Sequence, residues 1–308
     1  MSQTSSSSDF NARLIAVADD VELMLGQLLD EKAFFNEIHR PERLLEAMRY
    51  ASLGGGKRLR PFLVMESARM LGASGQGVLR AACALEFVHC YSLVHDDLPA
   101  MDDDDLRRGR PTVHKAFDEA IAILAGDSLL TFAFDVMGDV PTHDNPAIRA
   151  ELVVGLARAS GLGGMAGGQA LDLAAEASAT PLAMEEILRL QAMKTGALLR
   201  FGVEAGAILG GASAAERQAL VAYGLALGAA FQIADDILDA TSDAATLGKQ
   251  AGKDEGRNKA TLVSVLGLEA ARVRCADLVA EAEGALERFD SRADVLREAA
   301  RFTMARKS

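Results

Sequence analysis

Apolar residues return at three- and four-residue steps along most of the chain, a period that fits helices and not strands. Leu14, Val17, Val21, Leu25 and Leu28 form the first such stripe, within residues 12–29. Further helical segments are expected over 41–53 with Pro41 at the start, then 61–71, 79–95, 117–137, 146–160, 184–210, 214–238, 262–289 and 291–305. Gly54-Gly55-Gly56 ends the second segment, and the five glycines within 161–168 mark a bend or a close helix approach. Only seven prolines interrupt 308 residues, and no Asn-Gly or Asp-Gly hairpin signal occurs. There is no βαβ alternation and no fixed repeat. The expectation is an all-α protein: one large helical bundle over 11–308, preceded by a disordered Ser-rich tail over 1–10.

Composition narrows the function. The formal net charge is −12 and tryptophan is absent, which argues against nucleic acid as a partner. Cys83, Cys90 and Cys275 have no metal-site spacing. Cys83 and Cys90 fall on one helical face as small core residues. No uninterrupted apolar run reaches the ~18 residues of a membrane span. The N-terminus lacks the basic and apolar regions of a signal peptide. A cytoplasmic protein without a membrane span is expected.

The stretch 95–109 places six carboxylates within ten residues, at the end of an apolar run. Like charges at that density repel, and burial worsens the repulsion, so a bound cation is expected. Oxygen ligands without cysteine favour Mg²⁺ or Ca²⁺ over zinc. Arg107 and Arg108 beside them suit phosphate oxygens. The competing reading is a solvated acidic loop. A second cluster at 235–239 shifts the balance. On a helix Asp235 and Asp239 share a face, and two carboxylate sets can hold several Mg²⁺ ions around one polyanion. His89 and Ser92 fall on the Asp96 stripe at ~100° per residue; a satisfied core histidine is the alternative for His89. Basic residues gather in three places. Lys57 and Arg60 follow Gly55-Gly56, where a helix start suits a diphosphate. Lys194-Thr195 lies in a helical pattern, and Lys249 to Lys259 lie in a polar stretch read as a flap. The GxxxxGK[ST] loop is missing. Each cluster alone could be a solvated surface; together they point to diphosphate ligands.

Taken in order, these motifs resemble the trans-isoprenyl diphosphate synthase family, and within it the bacterial farnesyl diphosphate synthases. The motifs are Gly55-Gly56-Lys57-Arg58-Leu59-Arg60-Pro61, the aspartates from Asp96 to Asp102 with Arg107-Arg108-Gly109-Arg110-Pro111-Thr112, and Gly168-Gln169-Ala170-Leu171-Asp172. Lys194-Thr195-Gly196, Phe231-Gln232 with Asp235-Asp236-Ile237-Leu238-Asp239, and Gly248-Lys249 through Lys259 complete the set. The resemblance implies an isoprenoid synthase type I fold, about ten core helices around a central cavity, in a homodimer. It implies head-to-tail (1′–4) condensation of isopentenyl diphosphate with dimethylallyl and geranyl diphosphate, giving (2E,6E)-farnesyl diphosphate. Asp96, Asp102 and Asp235 are the implied ligands of three Mg²⁺ ions. Asp97 is a supporting acceptor, and Asp103, Asp104 and Asp105 lie behind the ligands or in solvent. Arg107, Lys194 and Lys249 would hold the allylic diphosphate. Lys57, Arg60, His89 and Arg108 would hold isopentenyl diphosphate, with Gly56, Phe231 and Lys259 lining these sites. Thr195, Gln232 and the Lys194 carbonyl would face the allylic cation. Tyr91, five residues before Asp96, is the implied chain-length residue, while helical projection sets Ser92 nearer the Asp96 face.

Other readings compete. A geranylgeranyl diphosphate synthase of the same family is the alternative for the product. A class I terpene synthase would carry an Asn/Ser/Glu triad in place of the second Asp motif. A di-iron bundle could use Glu86-x-x-His89, but it requires a second Glu-x-x-His, which is missing. A non-catalytic partner subunit would lose an Asp motif, and both are present.

Overall fold

The computed structural model describes residues 3–34, 36–180, 182–246 and 261–305, the side chains of 3–9 and 242–246 excepted. The chain divides into two compact units, 1–154 and 155–308.

The first unit holds α1 (Gln3–Leu28), α2 (Glu42–Ser52), α3 (Leu59–Met70), α4 (Gln76–Asp96), a hairpin of β1 (Leu106–Arg107) and β2 (Arg110–Pro111), α5 (Val113–Ala116), α6 (Glu119–Gly138) and the start of α7 (Pro146–Ser160), as far as Val154. The α1 helix begins at Gln3, inside the stretch expected as a tail. Its stripe is buried as the period required, with Val21 and Leu25 at 0% exposure. Pro41 is the extended residue that opens α2. The α3 helix begins at Leu59, ahead of Pro61, and follows Arg58 in the left-handed region (φ 48°).

That backbone turn carries Arg58 inward. Its guanidinium donates to Glu86 Oε1 at 2.8 Å, Glu22 Oε2 at 2.5 Å and the Ser52 carbonyl at 2.6 Å. Burial disfavours the charge, but Glu86 together with its other partners, Glu22 among them, outweighs it, so Arg58 is raised above its usual pKa. Glu86 is thereby committed to an ion pair, which removes the di-iron reading of Glu86-x-x-His89. The α4 helix is buried almost all round, and Cys83 and Cys90 sit in its core as expected. Burial pushes the Cys90 thiol up to about 12 and Cys83 higher, so both are inert.

The hairpin departs from the strandless expectation. Leu106 pairs with Pro111 and Arg107 with Arg110, leaving Arg108-Gly109 as a two-residue turn. Both turn residues have positive φ, 52° and 75°, as the favoured tight hairpin turn requires. Arginine stands where asparagine or aspartate usually signals such a turn.

The second unit holds α8 (Met165–Glu176), α9 (Met184–Gln191), a π turn (Ala192–Gly196), α10 (Ala197–Leu209), α11 (Ala214–Thr246), α12 (Leu262–Leu266), α13 (Leu268–Ala285) and α14 (Asp294–Ala305). The helix expected over 184–210 is thus interrupted by the π turn, and that over 262–289 by Gly267. The α11 helix runs past Leu238 to Thr246 because no breaker stops it. Tyr223 is fully buried and its hydroxyl donates to the Leu296 carbonyl at 2.7 Å, tying α11 to α14. By length and composition alone, α4, α6 and residues Ala214–Thr241 of α11 could cross a membrane. Here α4 packs on α6, and α11 packs on α10 and α13.

Replacing Glu86 with alanine strands the buried Arg58 charge. Glu86→Ala should cost about 3–5 kcal/mol, read as a lower urea midpoint with an unchanged slope.

Candidate active site

In the first unit, α4 delivers Asp96 at its last turn, and the insertion folds back at once. The Asp102 N–H donates to the Asp96 carbonyl at 2.8 Å, so the two residues flank an exposed Pro99-Ala100 tip. Asp97 turns inward at 2% exposure. Arg107 Nε reaches both its oxygens, at 2.8 and 3.0 Å, and Nη2 reaches one at 2.6 Å. Burial raises the Asp97 carboxyl and Arg107 counters it. Asp97 is therefore an internal acceptor. Asp105 meets Lys115 at 2.8 Å, and Asp103 is exposed.

Adjacent arginines diverge. Arg108 Nη1 donates to the Gly55 carbonyl at 2.6 Å. Gly56 has φ +130°, a backbone conformation that favours glycine, and a Cβ there would stand 2.6 Å from the end of the Arg108 side chain. Lys57 is exposed and precedes α3, so it does not share a helical face with Arg60. His89 is half-buried. Burial, then Arg60, Arg108, Arg58 and Arg107, hold its pKa well below the usual value. Such a concentration of positive charge around a neutral imidazole suits an anion. Tyr91 is 9% exposed and packs edge-on to His95 at 5.8 Å. Ser92 bonds back to the His89 carbonyl at 2.9 Å. A cleft of about 60 Å³ is lined by Tyr50, Gly54, Asp97, Arg107 and Arg108. A larger cavity of about 980 Å³, beside Phe34, Arg40 and Phe132, includes none of the expected site residues.

In the second unit, the π turn carries Lys194 and Thr195, and such turns recur at functional sites. Two glycines let neighbouring helices approach it. A Cβ on Gly168 of α8 would collide with the Lys194 backbone nitrogen, and one on Gly228 of α11 would lie 2.9 Å from Gly196 Cα. The glycine-rich bend expected at 161–168 is this close approach. One turn beyond Gly168, Asp172 meets Lys194 Nζ at 2.5 Å. One turn beyond Gly228, Gln232 Oε1 accepts from the Thr195 hydroxyl at 2.8 Å. Gln232 Nε2 donates to Asp236 Oδ1 at 3.1 Å. Asp236 Oδ2 accepts from Gln191 Nε2 at 2.9 Å and from the Leu262 N–H at 3.2 Å. Burial raises the Asp236 carboxyl, and the bonds from Gln232, Gln191 and Leu262 oppose it. Asp235 and Phe231 are half-buried on α11, and Asp239 is exposed. Lys249 and Lys259 lie outside the described residues. Sequence reasoning missed the partner roles of Asp172, Gln191 and Asp236. Asp172 and Asp236 stood inside quoted motifs, but nothing in the spacing named their partners.

Among the described residues, no group of three or more His, Cys, Asp or Glu side chains forms a ready-made metal cage. Mg²⁺ is commonly held by one or two carboxylates and completes its shell with water and substrate phosphates. Asp96, Asp102 and Asp235 offer hard oxygen donors of this kind.

In the folded protein His89 resists a proton that the unfolded chain takes up near the ordinary imidazole value of about 6.5. Acid below that value therefore favours unfolding. His89→Gln should flatten the loss of stability between about pH 7 and about pH 5, measured by urea midpoints.

A polyprenyl synthetase family model matches residues 41–299. Farnesyl diphosphate synthase of Escherichia coli strain K12 is 45% identical over 288 residues, covering 91% of this chain and 92% of that protein. A chloroplastic geranylgeranyl pyrophosphate synthase of Capsicum annuum is 42% identical, covering 88% of this chain and 72% of its own length. The crystal structure of a FPP/GFPP synthase from Zymomonas mobilis superposes with a TM-score of 0.86 at 46% identity, covering 96% of this chain and 99% of that one. The chain therefore belongs to the polyprenyl synthetase family: it is an all-α prenyltransferase of isoprenoid biosynthesis, in a family that uses Mg²⁺ and isoprenyl diphosphate substrates.

Proposed function

We propose that this prenyltransferase condenses isopentenyl diphosphate with dimethylallyl and then geranyl diphosphate, and stops at (2E,6E)-farnesyl diphosphate. Supporting that product length is Tyr91, buried at 9% exposure five residues before Asp96, where a bulky ring would limit chain growth. The alternative product is geranylgeranyl diphosphate, since the identity to the Capsicum annuum enzyme, 42%, is close to the 45% to the Escherichia coli one.

Asp96, Asp102 and Asp235 are the proposed ligands of three Mg²⁺ ions. Bound Mg²⁺ would supply the positive charge that lets the allylic diphosphate leave. Lys194 and Arg107, with Lys249, neutralise the same leaving group. Arg107 Nε and Nη2 stay on Asp97, and Nη1 is assigned to phosphate. Lys57, Arg60, His89 and Arg108 hold isopentenyl diphosphate, with Gly56, Phe231 and Lys259 lining the sites. Thr195 Oγ1, Gln232 Oε1 and the Lys194 carbonyl offer oxygen dipoles to the allylic cation. The double bond of isopentenyl diphosphate attacks that cation, and the released diphosphate takes the final proton. The reading includes a single synthase domain over 11–308, a homodimer and a cytoplasmic location.

The direct test supplies isopentenyl and dimethylallyl diphosphates with Mg²⁺ and follows diphosphate release and product length. Fifteen-carbon product is expected; no extension would end this reading. Tyr91→Ala should lengthen the product by chromatography, and an unchanged length would remove Tyr91 from the role. Asp96→Ala should lower turnover on the order of 10²-fold or more with the fold intact by circular dichroism. Lys57→Ala should raise the KM for isopentenyl diphosphate more than that for the allylic substrate.

A further inference from the structure

The metal assignment leaves over two carboxylates of the second acidic motif, the exposed Asp239 and the buried Asp236. Asp236 is 6% exposed, and three donors converge on it: Gln232 Nε2 at 3.1 Å, Gln191 Nε2 at 2.9 Å and the Leu262 N–H at 3.2 Å. All three are amide N–H groups, and an ionised carboxylate only accepts. The direction of the whole chain of bonds is then determined. Gln232 must turn its NH₂ towards Asp236, so its oxygen lies on the opposite side and accepts from Thr195 at 2.8 Å. With its hydrogen used on Gln232, Thr195 has only lone pairs to offer elsewhere. Either amide orientation is ordinarily open to a glutamine; beside this carboxylate one is excluded.

We propose that Asp236 is a positioning residue, which sets the polarity of the Gln191–Asp236–Gln232–Thr195 chain so that Gln232 Oε1 and Thr195 Oγ1, rather than the Gln232 NH₂ or the Thr195 hydroxyl hydrogen, face an electron-poor carbon. This rests on the assignment of Thr195 and Gln232 to stabilising the allylic cation. A hydrogen-bond donor in their place would oppose the charge that develops in the transition state. Binding of the ground-state diphosphates depends on other residues. Asp236 should therefore act on kcat and leave KM alone.

The test is a polarity swap. In Asp236→Asn, the amide oxygen can retain Gln191 and Leu262, which points Nδ2 at Gln232. Gln232 then turns over and presents N–H to Thr195, whose hydroxyl hydrogen is set free. Turnover should fall on the order of 10²-fold, with both diphosphate KM values and the Mg²⁺ requirement within about twofold. Adding Gln232→Glu restores an acceptor facing both Thr195 and Asn-substituted 236, and restores the formal charge of the pair. The double variant should regain about tenfold or more of the lost turnover, a coupling that independent sites do not show. Unchanged turnover in Asp236→Asn would overturn the proposal. So would full activity at raised Mg²⁺, which would mark a metal ligand, or a double variant no better than the single one. Wild-type protein is run alongside: if it does not join isopentenyl and allylic diphosphates, the prenyltransfer reading fails and this proposal with it. Normal wild-type turnover with an unaffected Asp236→Asn defeats this proposal alone.

Discussion

Carboxylates crowded more closely than water can screen must each find a donor or a cation, and that constraint orders both units of the chain. Glu86 takes the buried Arg58, Asp97 takes the fork of Arg107, Asp172 takes Lys194, and Asp236 takes three amides. Each pairing serves geometry as well as charge. Arg58 fixes the start of α3 after the glycine loop. Arg107 anchors the hairpin to the end of α4. Asp172 holds Lys194 within the π turn. Two of the carboxylates so engaged, Asp97 and Asp236, stand next in sequence to the proposed metal ligands Asp96 and Asp235. Neighbouring aspartates in one motif thus divide into two kinds by which way the backbone turns them.

The division follows from elementary helix geometry. Asp235 and Asp236 are consecutive on α11, so their side chains leave the axis ~100° apart. One is half-buried and the other 6% exposed. Asp96 and Asp97 straddle the end of α4, with the same result.

Much of the helical frame was legible from apolar spacing, and the 146–160 helix was read to both ends because proline opens it and glycine follows it. Three features were not. The π turn at 192–196 leaves no trace in the apolar pattern, because a single extra residue is lost within the ordinary scatter of a helical stripe. The Arg108-Gly109 turn lacks the asparagine or aspartate that signals it, and its left-handed arginine is explained by the hydrogen bond to Gly55. Arg58 reads in sequence as one more member of a basic cluster. Its burial depends on Glu22 and Glu86, which are distant in the chain. The candidate site divides the same way: residue types and order were visible early, while partners such as Gln191 and Asp236 required the tertiary structure.

The π turn also changes how the chain can vary in length. One residue beyond the α-helical count rotates everything after it by ~100° relative to an uninterrupted helix. The face that α10 presents to α11, including Arg200 against Gly224, is set by that offset. Loss of a single residue between Gln191 and Ala197 would give a smoother helix and swing the α10 side chains away from their partners. Beyond the identities of Lys194, Thr195 and Gly196, the spacing cannot slip: here the number of residues is itself a structural element.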